Sequence, residues 1–344
     1  MSGSRIGSTS QSQARNKSFS TTLFRLLFLF AAITNFTVGS HNLHSYKKSQ
    51  QFHKSCIEKF GGVWLGQELW LTEKQIPTMT ALGVQFVARS GMENAVSTGI
   101  LRGRPYGGVS VAWSADLNHV VKPLVNYKHP RVVCIKLEAL PSPIIISSIY
   151  MPFFNTSKRQ ECTLELIDAI SMLQSVIDDH PNHKFIIGGD FNTELKNNLP
   201  FDSHWEEFIA KNDLELCDRH VTSQIDYTYR HDSLNQSKWN DHFVMSSSLV
   251  NASSNHQILE DGADPSDHLP IMMQVCASLQ PSPPFQGNAK KHPSLKWEKC
   301  SEDETAAYTA VLNHILQVFY KIATNVTVKM FHVELVFRMS TIVS

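Results

Sequence analysis

An α/β fold of antiparallel sheets flanked by helices is predicted by three observations. Short apolar runs alternate with helical periodicity across residues 36–278. Two consecutive strand-like runs, 132–137 and 144–149, are joined only by residues 139–143, long enough for an antiparallel hairpin and too short for a parallel crossover. A chain of 344 residues, 42% of them apolar, can also bury a sizeable core. A purely parallel doubly wound sheet is therefore excluded.

In chain order, strands are expected at 35–42, 63–67, 84–88, 108–113, 132–137, 144–149 and 185–187, where β-branched and aromatic residues are bounded by turn formers. Thr72 precedes 73–82 as a helix cap would. The clearest helix is 157–179, whose Leu166, Ile170, Leu173 and Ile177 step by four, three and four. Residues 243–245 and 271–276 read as two later strands. Residues 279–300 open with a Pro-rich run and form a linker by composition. A capped amphipathic helix is then expected over 301–318, with Ser301 at the cap and Glu304 three residues on. The rest of 301–344 is apolar and irregular.

Composition excludes a disordered tail, a collagen and a coiled coil. No apolar run is long enough for a stable membrane span. Six scattered cysteines, with no C-x-x-C pair, make neither a disulfide scaffold nor a zinc module, and are expected as buried free thiols. The zero net charge argues against a basic nucleic-acid module. It is, however, the sum of +4 in residues 1–35, −6 in 36–278 and +2 in 279–344.

The leader, 1–35, carries Arg5, Arg15, Lys17 and Arg25, is Ser-rich, and has an apolar run at 26–33. These features are shared by transit and secretory peptides. Cleavage near Val38 would remove most of the strand that follows, so a spurious upstream extension is an equal reading.

Several apolar runs end on polar groups: Glu68 after 63–67, Tyr150 after 144–149, Asp190 and Asn192 after 185–187, and Asp267-His268 before 271–276. Strand ends deliver side chains from a rigid scaffold to one mouth. A few hard oxygen ligands suit Mg²⁺, and carboxylates beside a histidine suit phosphate-ester hydrolysis.

The ordered segments S-H-N (Asn42), G-Q-E-L-W-L (Glu68), S-I-Y-M-P (Tyr150), G-G-D-F-N (Asp190, Asn192), W-N-D-H-F (Asp241) and S-D-H-L-P (Asp267, His268) resemble the endonuclease/exonuclease/phosphatase superfamily, the DNase I-like fold. The resemblance spans 36–278. It implies a four-layered α/β sandwich of two mainly antiparallel sheets flanked by helices. Residues 83–92, 103–113 and 295–301 are most similar to the apurinic-endonuclease-like domain of LINE-type non-LTR retrotransposons. Tyr150, where other branches carry a histidine, points the same way.

The resemblance assigns Glu68 as principal Mg²⁺ ligand, helped by Asn42 and Asp267. It gives Asp190 the attacking water, Asn192 the phosphate and the positioning of Asp190, and His268 the catalytic imidazole. Asp241 would orient His268, with Asp226 as a competitor, and Tyr150 would stabilise the pentavalent phosphate. The implied activity is Mg²⁺-dependent nicking of one DNA strand, with Mn²⁺ as an alternative ion, leaving a 3′-hydroxyl and a 5′-phosphate. Two other readings stand beside it: a phosphodiesterase or phosphatase of the same fold acting on a non-DNA substrate, and an inactive retroelement relic. No reverse-transcriptase Y/F-x-D-D motif is present, as in an isolated endonuclease portion. Location is expected to be nuclear if retroelement function is retained, and secretory or mitochondrial if the leader is used. Target preference is expected in the loops around 89–106 and 228–240.

Overall fold

The computed structural model describes residues 33–92, 96, 99, 106–195, 199–221, 223–280, 309 and 313. The expected leader up to residue 32, most of the linker, Cys300, and the terminal helix and tail apart from Thr309 and Asn313 lie outside the described residues. The chain divides into two compact units, Met1–Pro283 and Pro284–Ser344.

Two crossovers organise the first unit. Strand β1 (Ile33–Asn42) leads into helix α1 (Tyr46–Phe60) and returns as β2 (Val63–Gln67), parallel to β1. The chain then forms β3 (Gln85–Arg89), β4 (Val109–Trp113), β5 (Val121–Pro123), β6 (Val132–Leu137) and β7 (Ala139–Leu140). Strand β8 (Ile144–Tyr150) crosses through α2 (Arg159–Asp179) into β9 (Lys184–Asp190), again parallel. There follow α3 (Asp202–Lys211), β10 (Leu214–Leu216), the hairpin β11 (Tyr229–His231) and β12 (Gln236–Lys238), β13 (Asp241–Ser246), the turn α4 (Ser247–Val250), β14 (Ser253–Ile258) and β15 (Ile271–Leu279).

One sheet runs β14-β15-β1-β2-β4-β3, with β7 added beside β15; the other runs β10-β13-β9-β8-β6-β5. Apart from the β1–β2 and β8–β9 pairs, every pairing is antiparallel. Val38, Leu65, Val111 and Val275 of the first sheet pack with Ile135, Ile146, Ile186 and Phe243 of the second in one core. The outer face of the second sheet is covered by Leu166, Ala169 and Leu173 of α2 and Trp205 and Phe208 of α3. Phe52, Cys56 and Ile57 of α1 cover Trp64 and Ala112 on the outer face of the first. The result is the predicted order of helices, sheet, sheet and helices.

Local chemistry explains most boundaries. The buried stripe of α2, Cys162, Leu166, Ala169, Leu173 and Val176, has the spacing read from the sequence, shifted so that Ile170 and Ile177 sit at its margin. Helix α1 was not foreseen, because Ser49 and His53 occupy buried positions between Tyr46, Phe52, Cys56 and Ile57 and interrupt the apolar count. The helix expected over 73–82 is instead a 3₁₀ turn, Ile76–Leu82. Pro77 is tolerated only in a first turn, since its ring would strike the carbonyl four residues back. Thr72 therefore bonds the Gln75 side chain rather than capping a helix. The 139–143 connection does join an antiparallel pair, and it also lends β7 to the opposite sheet. Cys56, Cys134, Cys162 and Cys217 are buried free thiols, whereas Cys276 is exposed, being on an outward-facing position of β15. Among the described residues no helix is long and apolar enough to cross a membrane.

Candidate active site

The parallel pairs bring four strand ends to one rim. Asn42 ends β1, Glu68 follows β2, Tyr150 ends β8 and Asp190 ends β9. The neighbouring antiparallel strands begin at that rim, so Asp241 opens β13 and His268 lies just before β15. In register, Tyr150 pairs with Asp190 and Asp190 with Asp241. Directly paired residues present their side chains on the same face, so a phenol and two carboxylates form one row across three strands.

Asn42 ties the sheets together. Its Nδ2 donates to Asp190 Oδ2 at 2.9 Å and Glu68 Oε1 at 3.3 Å, and lies 3.4 Å from His268 Nε2. Its Oδ1 accepts the His44 N–H. Asn42 thus organises carboxylates from both sheets. Glu68 adopts a left-handed backbone (φ 50°), as does Trp70 (φ 53°), a conformation that costs energy for residues with a Cβ. The turn is held by Leu69 and Trp70 N–H groups donating to Gly108 and Gly107 carbonyls. Trp70 Nε1 donates to Glu68 Oε2 at 3.0 Å, and the Glu68 carboxylate lies beside the Tyr150 hydroxyl. Burial, then the Glu68 and Asp190 charges, push the Tyr150 phenol well above its ordinary pKa, so it is a hydrogen-bond donor at neutral pH. Arg131 stacks on the Tyr150 ring and donates to its carbonyl.

Asp190 is fully enclosed. Its Oδ1 accepts the Asn192 N–H at 2.8 Å, and Asn192 Nδ2 reaches Met151 O and Asp190 Oδ2. Burial raises its pKa, with His268 opposing and Asp241 and Glu68 adding to the rise. His268 Nδ1 donates to Asp241 Oδ2 at 2.7 Å, while Nε2 stands 3.9 Å from Asp190 Oδ2. Burial works against a charge on the ring, but Asp241 and then Asp190 and Asp267 outweigh it and raise the pKa. Asp226 is exposed, and it is Asp241 that meets the imidazole.

Asp267 joins the group through His44, whose Nδ1 lies 2.7 Å from Asp267 Oδ1. Burial opposes its charge, but the His44 hydrogen bond and the His268 and His44 charges hold its pKa below the usual carboxylate value. Seven of the eight expected residues are thus linked side chain to side chain, and Asp267 enters through an unforeseen partner.

Other contributors were also missed. Ser266 Oγ donates to Asn42 O at 2.6 Å and accepts the His268 N–H, fixing β1 against the histidine turn. Tyr229 packs its ring 4.9 Å from that of His268. Trp70 and Ser266 sit inside the quoted motifs, and His44 stands two residues after Asn42, so proximity to a motif was the available signal.

Among the described residues no three His, Cys, Asp or Glu side chains form a ready metal cage. Yet Asp190, Asp241 and Asp267 lie around the His268 imidazole, Glu68 joins them through Asn42, and His44 holds Asp267 from the other side. Glu68 and Asp267 are the two that His268 and Asp190 do not engage by hydrogen bond. Two carboxylates and nearby amide groups fit a hard divalent cation that keeps most of its waters.

Residues 40–268 match the Endonuclease/Exonuclease/phosphatase family. In fold the chain is similar to the endonuclease domain of TRAS1, a telomere-specific non-LTR retrotransposon, with TM-score 0.50 and 12% identity over 70% of this chain and 98% of that one. It is similar to the AP endonuclease LMAP from Leishmania major, with TM-score 0.55 and 15% identity over 70% and 88% of the two chains. A 3′ phosphatase, NExo from Neisseria, bound to product DNA hairpin, gives TM-score 0.50 and 15% identity over 71% and 99%. At these identities the likeness is one of fold. No curated protein sequence matches the chain.

Proposed function

The chain belongs to the Endonuclease/Exonuclease/phosphatase family, and on that premise we propose that it is a Mg²⁺-dependent DNA endonuclease of non-LTR retrotransposon origin that nicks one strand. The observation that carries this reading is the Asp241–His268–Asp190 alignment, with Nδ1 of the imidazole bonded to one carboxylate and Nε2 facing the other. DNA as substrate is supported by the sequence segments similar to LINE-type endonucleases and by the nature of the structurally similar proteins.

Each residue has a task that its surroundings allow. Asp190, raised by burial, accepts a proton from the attacking water. Asn192 and Asn42 hold its two oxygens, so its orientation is preset. His268, kept cationic by Asp241, presents Nε2 to a phosphate oxygen and stabilises charge as it builds. Tyr150, protonated beside Glu68, offers a second donor. The oxygen of water bonds to phosphorus, the bond to the 3′ oxygen breaks, and that oxygen takes a proton from solvent, leaving a 3′-hydroxyl and a 5′-phosphate. Glu68 and Asp267, with Asn42 orienting Glu68, are the residues that would hold Mg²⁺, which when bound neutralises phosphoryl oxygens.

The test is conversion of supercoiled plasmid to the open-circular form by the full chain with Mg²⁺. Nicking should be abolished by a chelator and by a Glu68→Ala, His268→Ala double variant. A wild-type protein no faster than that variant would sink the proposal. Release of phosphate from a 3′-phosphorylated oligonucleotide without nicking would move the reading to a phosphatase on the same fold.

A further inference from the structure

Behind the row of site residues lies a second buried histidine that the proposed mechanism leaves unused. His242 follows Asp241 on β13, so the strand's alternation turns its ring to the opposite face. There it is fully enclosed, packed edge-on against the Phe191 ring at 5.1 Å. Its Nδ1 lies 2.7 Å from Asp218 Oδ2 and its Nε2 lies 2.7 Å from the Thr193 carbonyl. A carboxylate and a carbonyl both only accept, and a neutral imidazole has one N–H. Satisfying both requires the imidazolium.

The segment it grips carries the water-activating carboxylate. Asp190 and Asn192 face the site, while Phe191 and Thr193 alternate with them and point inward. Asn192 is held in a left-handed conformation (φ 53°), which needs anchors on both sides. Before it, the Phe191 N–H donates to Asn240 O. After it, the Thr193 hydroxyl donates to Asp202 Oδ1, and its carbonyl takes the His242 N–H.

We propose that His242, as a buried imidazolium paired with Asp218, is a positioning residue that fixes the Asp190–Thr193 turn and thereby aims Asp190 and Asn192. Among the described residues, the charged and titratable groups around it are Asp218 and Asp241, with His220 and His256 beside Asp218. Burial opposes the charge on His242, and Asp218, the Thr193 carbonyl and Asp241 reverse that and raise its pKa. The consequence for rate rests on the endonuclease reading; the anchoring of the turn does not.

Two full-length double variants separate anchoring from packing. Asp218→Asn with His242→Gln keeps a donor near the Nε2 position, facing Thr193. Asp218→Asn with His242→Asn keeps one only near the Nδ1 position, facing residue 218. The Asn form should lose about a hundredfold in kcat for plasmid nicking, because a misplaced reacting group costs that order of rate, with KM for DNA little changed. The Gln form should recover about tenfold of that loss, the order expected when one oriented hydrogen bond is restored. Backbone amide hydrogen exchange at Asn192 should be faster in the Asn form and protected again in the Gln form. Equal kcat and equal Asn192 exchange in the two forms would overturn the proposal. A wild-type protein that nicks no DNA ends the endonuclease reading, and the Asn192 exchange then decides this inference alone.

Discussion

Gly188 shows how little room the site leaves at the level of single residues. A Cβ there would sit 2.5 Å from the Phe243 ring and 2.8 Å from Leu65, which belongs to the opposite sheet. Gly189 beside it has φ 148°, and its Cβ would run into the Ile149 carbonyl. Gly188 therefore lets the two sheets close up where their catalytic ends meet, and Gly189 lets β9 lie against its neighbour β8. Gly188→Ala should cost about 1–3 kcal/mol, as overpacked cores do. Its melting temperature should fall, and Phe243→Leu in the same chain should restore part of the loss. His53 makes a different residue-scale prediction. It is wholly buried in α1 and, among the described residues, neither ring nitrogen has a hydrogen-bond partner. Burial, then the charge of His41, pulls its pKa from 6.5 down to about 3. The unfolded chain takes up a proton near pH 6.5 while the folded chain refuses it, so this group's contribution is present above pH 6.5 and is lost as the pH falls toward 3. Between pH 6.5 and 5 the loss is about 2 kcal/mol. Replacing His53 by Leu should flatten that acid limb in melting curves, and an unchanged limb would contradict the assignment.

Between elements, Thr228 is the knot that sets where β13 begins. Its hydroxyl accepts both the Asn240 and the Asp241 N–H at 2.9 Å, its own N–H donates to Lys238 O, and its carbonyl takes the Leu269 N–H at 2.7 Å. One residue thus ties the β11–β12 hairpin to both Asp241 and the His268 turn. Thr228→Val keeps the shape but strands two buried N–H groups, at a cost of about 1–3 kcal/mol. The Asp241–His268 bond should loosen with it, so nicking should fall more than Thr228→Ser, which keeps the acceptor, would cause. Equal activity of the Val and Ser forms would show that the knot does not reach the site. Thr228 also marks the limit of what the sequence discloses. Strand ends bearing Glu68, Tyr150 and Asp190 were legible, because short apolar runs stop visibly at a polar residue, whereas Asn42, after Gly39-Ser40-His41, was legible only through the S-H-N motif. Helix α2 was legible for the analogous reason at period 3.6. Helix α1 was not, since Ser49 and His53 fill buried positions that a hydrophobicity count scores as exposed. The 73–82 segment misled because a cap residue is a local signal that Pro77 overrides. Thr228, Ser266 and His44 act through side-chain hydrogen bonds to other chain segments, and such contacts have no period to read.

At the scale of the whole molecule, the two sheets are held by more than apolar packing. Under the rim, Ser40 Oγ donates to Gln67 Oε1, Gln67 Nε2 donates to Ser148 Oγ, and Ser148 Oγ reaches Gly66 O. This buried polar stitch joins β1, β2 and β8 directly below Asn42, Glu68 and Tyr150, so it fixes the gap across which those side chains meet. The same convergence concentrates negative charge. Residues 36–278 carry −6 overall, and Glu68, Asp190, Asp241 and Asp267 lie together at the rim. A neutral chain with an acidic domain can still act on a polyanion if few cationic side chains contact phosphates and a divalent cation offsets the acids at the reacting centre. It cannot grip DNA through many ion pairs. Each neutralised phosphate contributes about −0.9 to the slope of log affinity against log salt, and tight binders reach slopes near −10. If this charge balance allows only about four such contacts, the slope for plasmid binding by the full chain should be no steeper than about −4. Binding isotherms between low and physiological salt, with Ca²⁺ replacing Mg²⁺ to prevent cleavage, measure it directly. A slope near −10 would mean that basic side chains are massed on one face despite the net charge, and would overturn this reading.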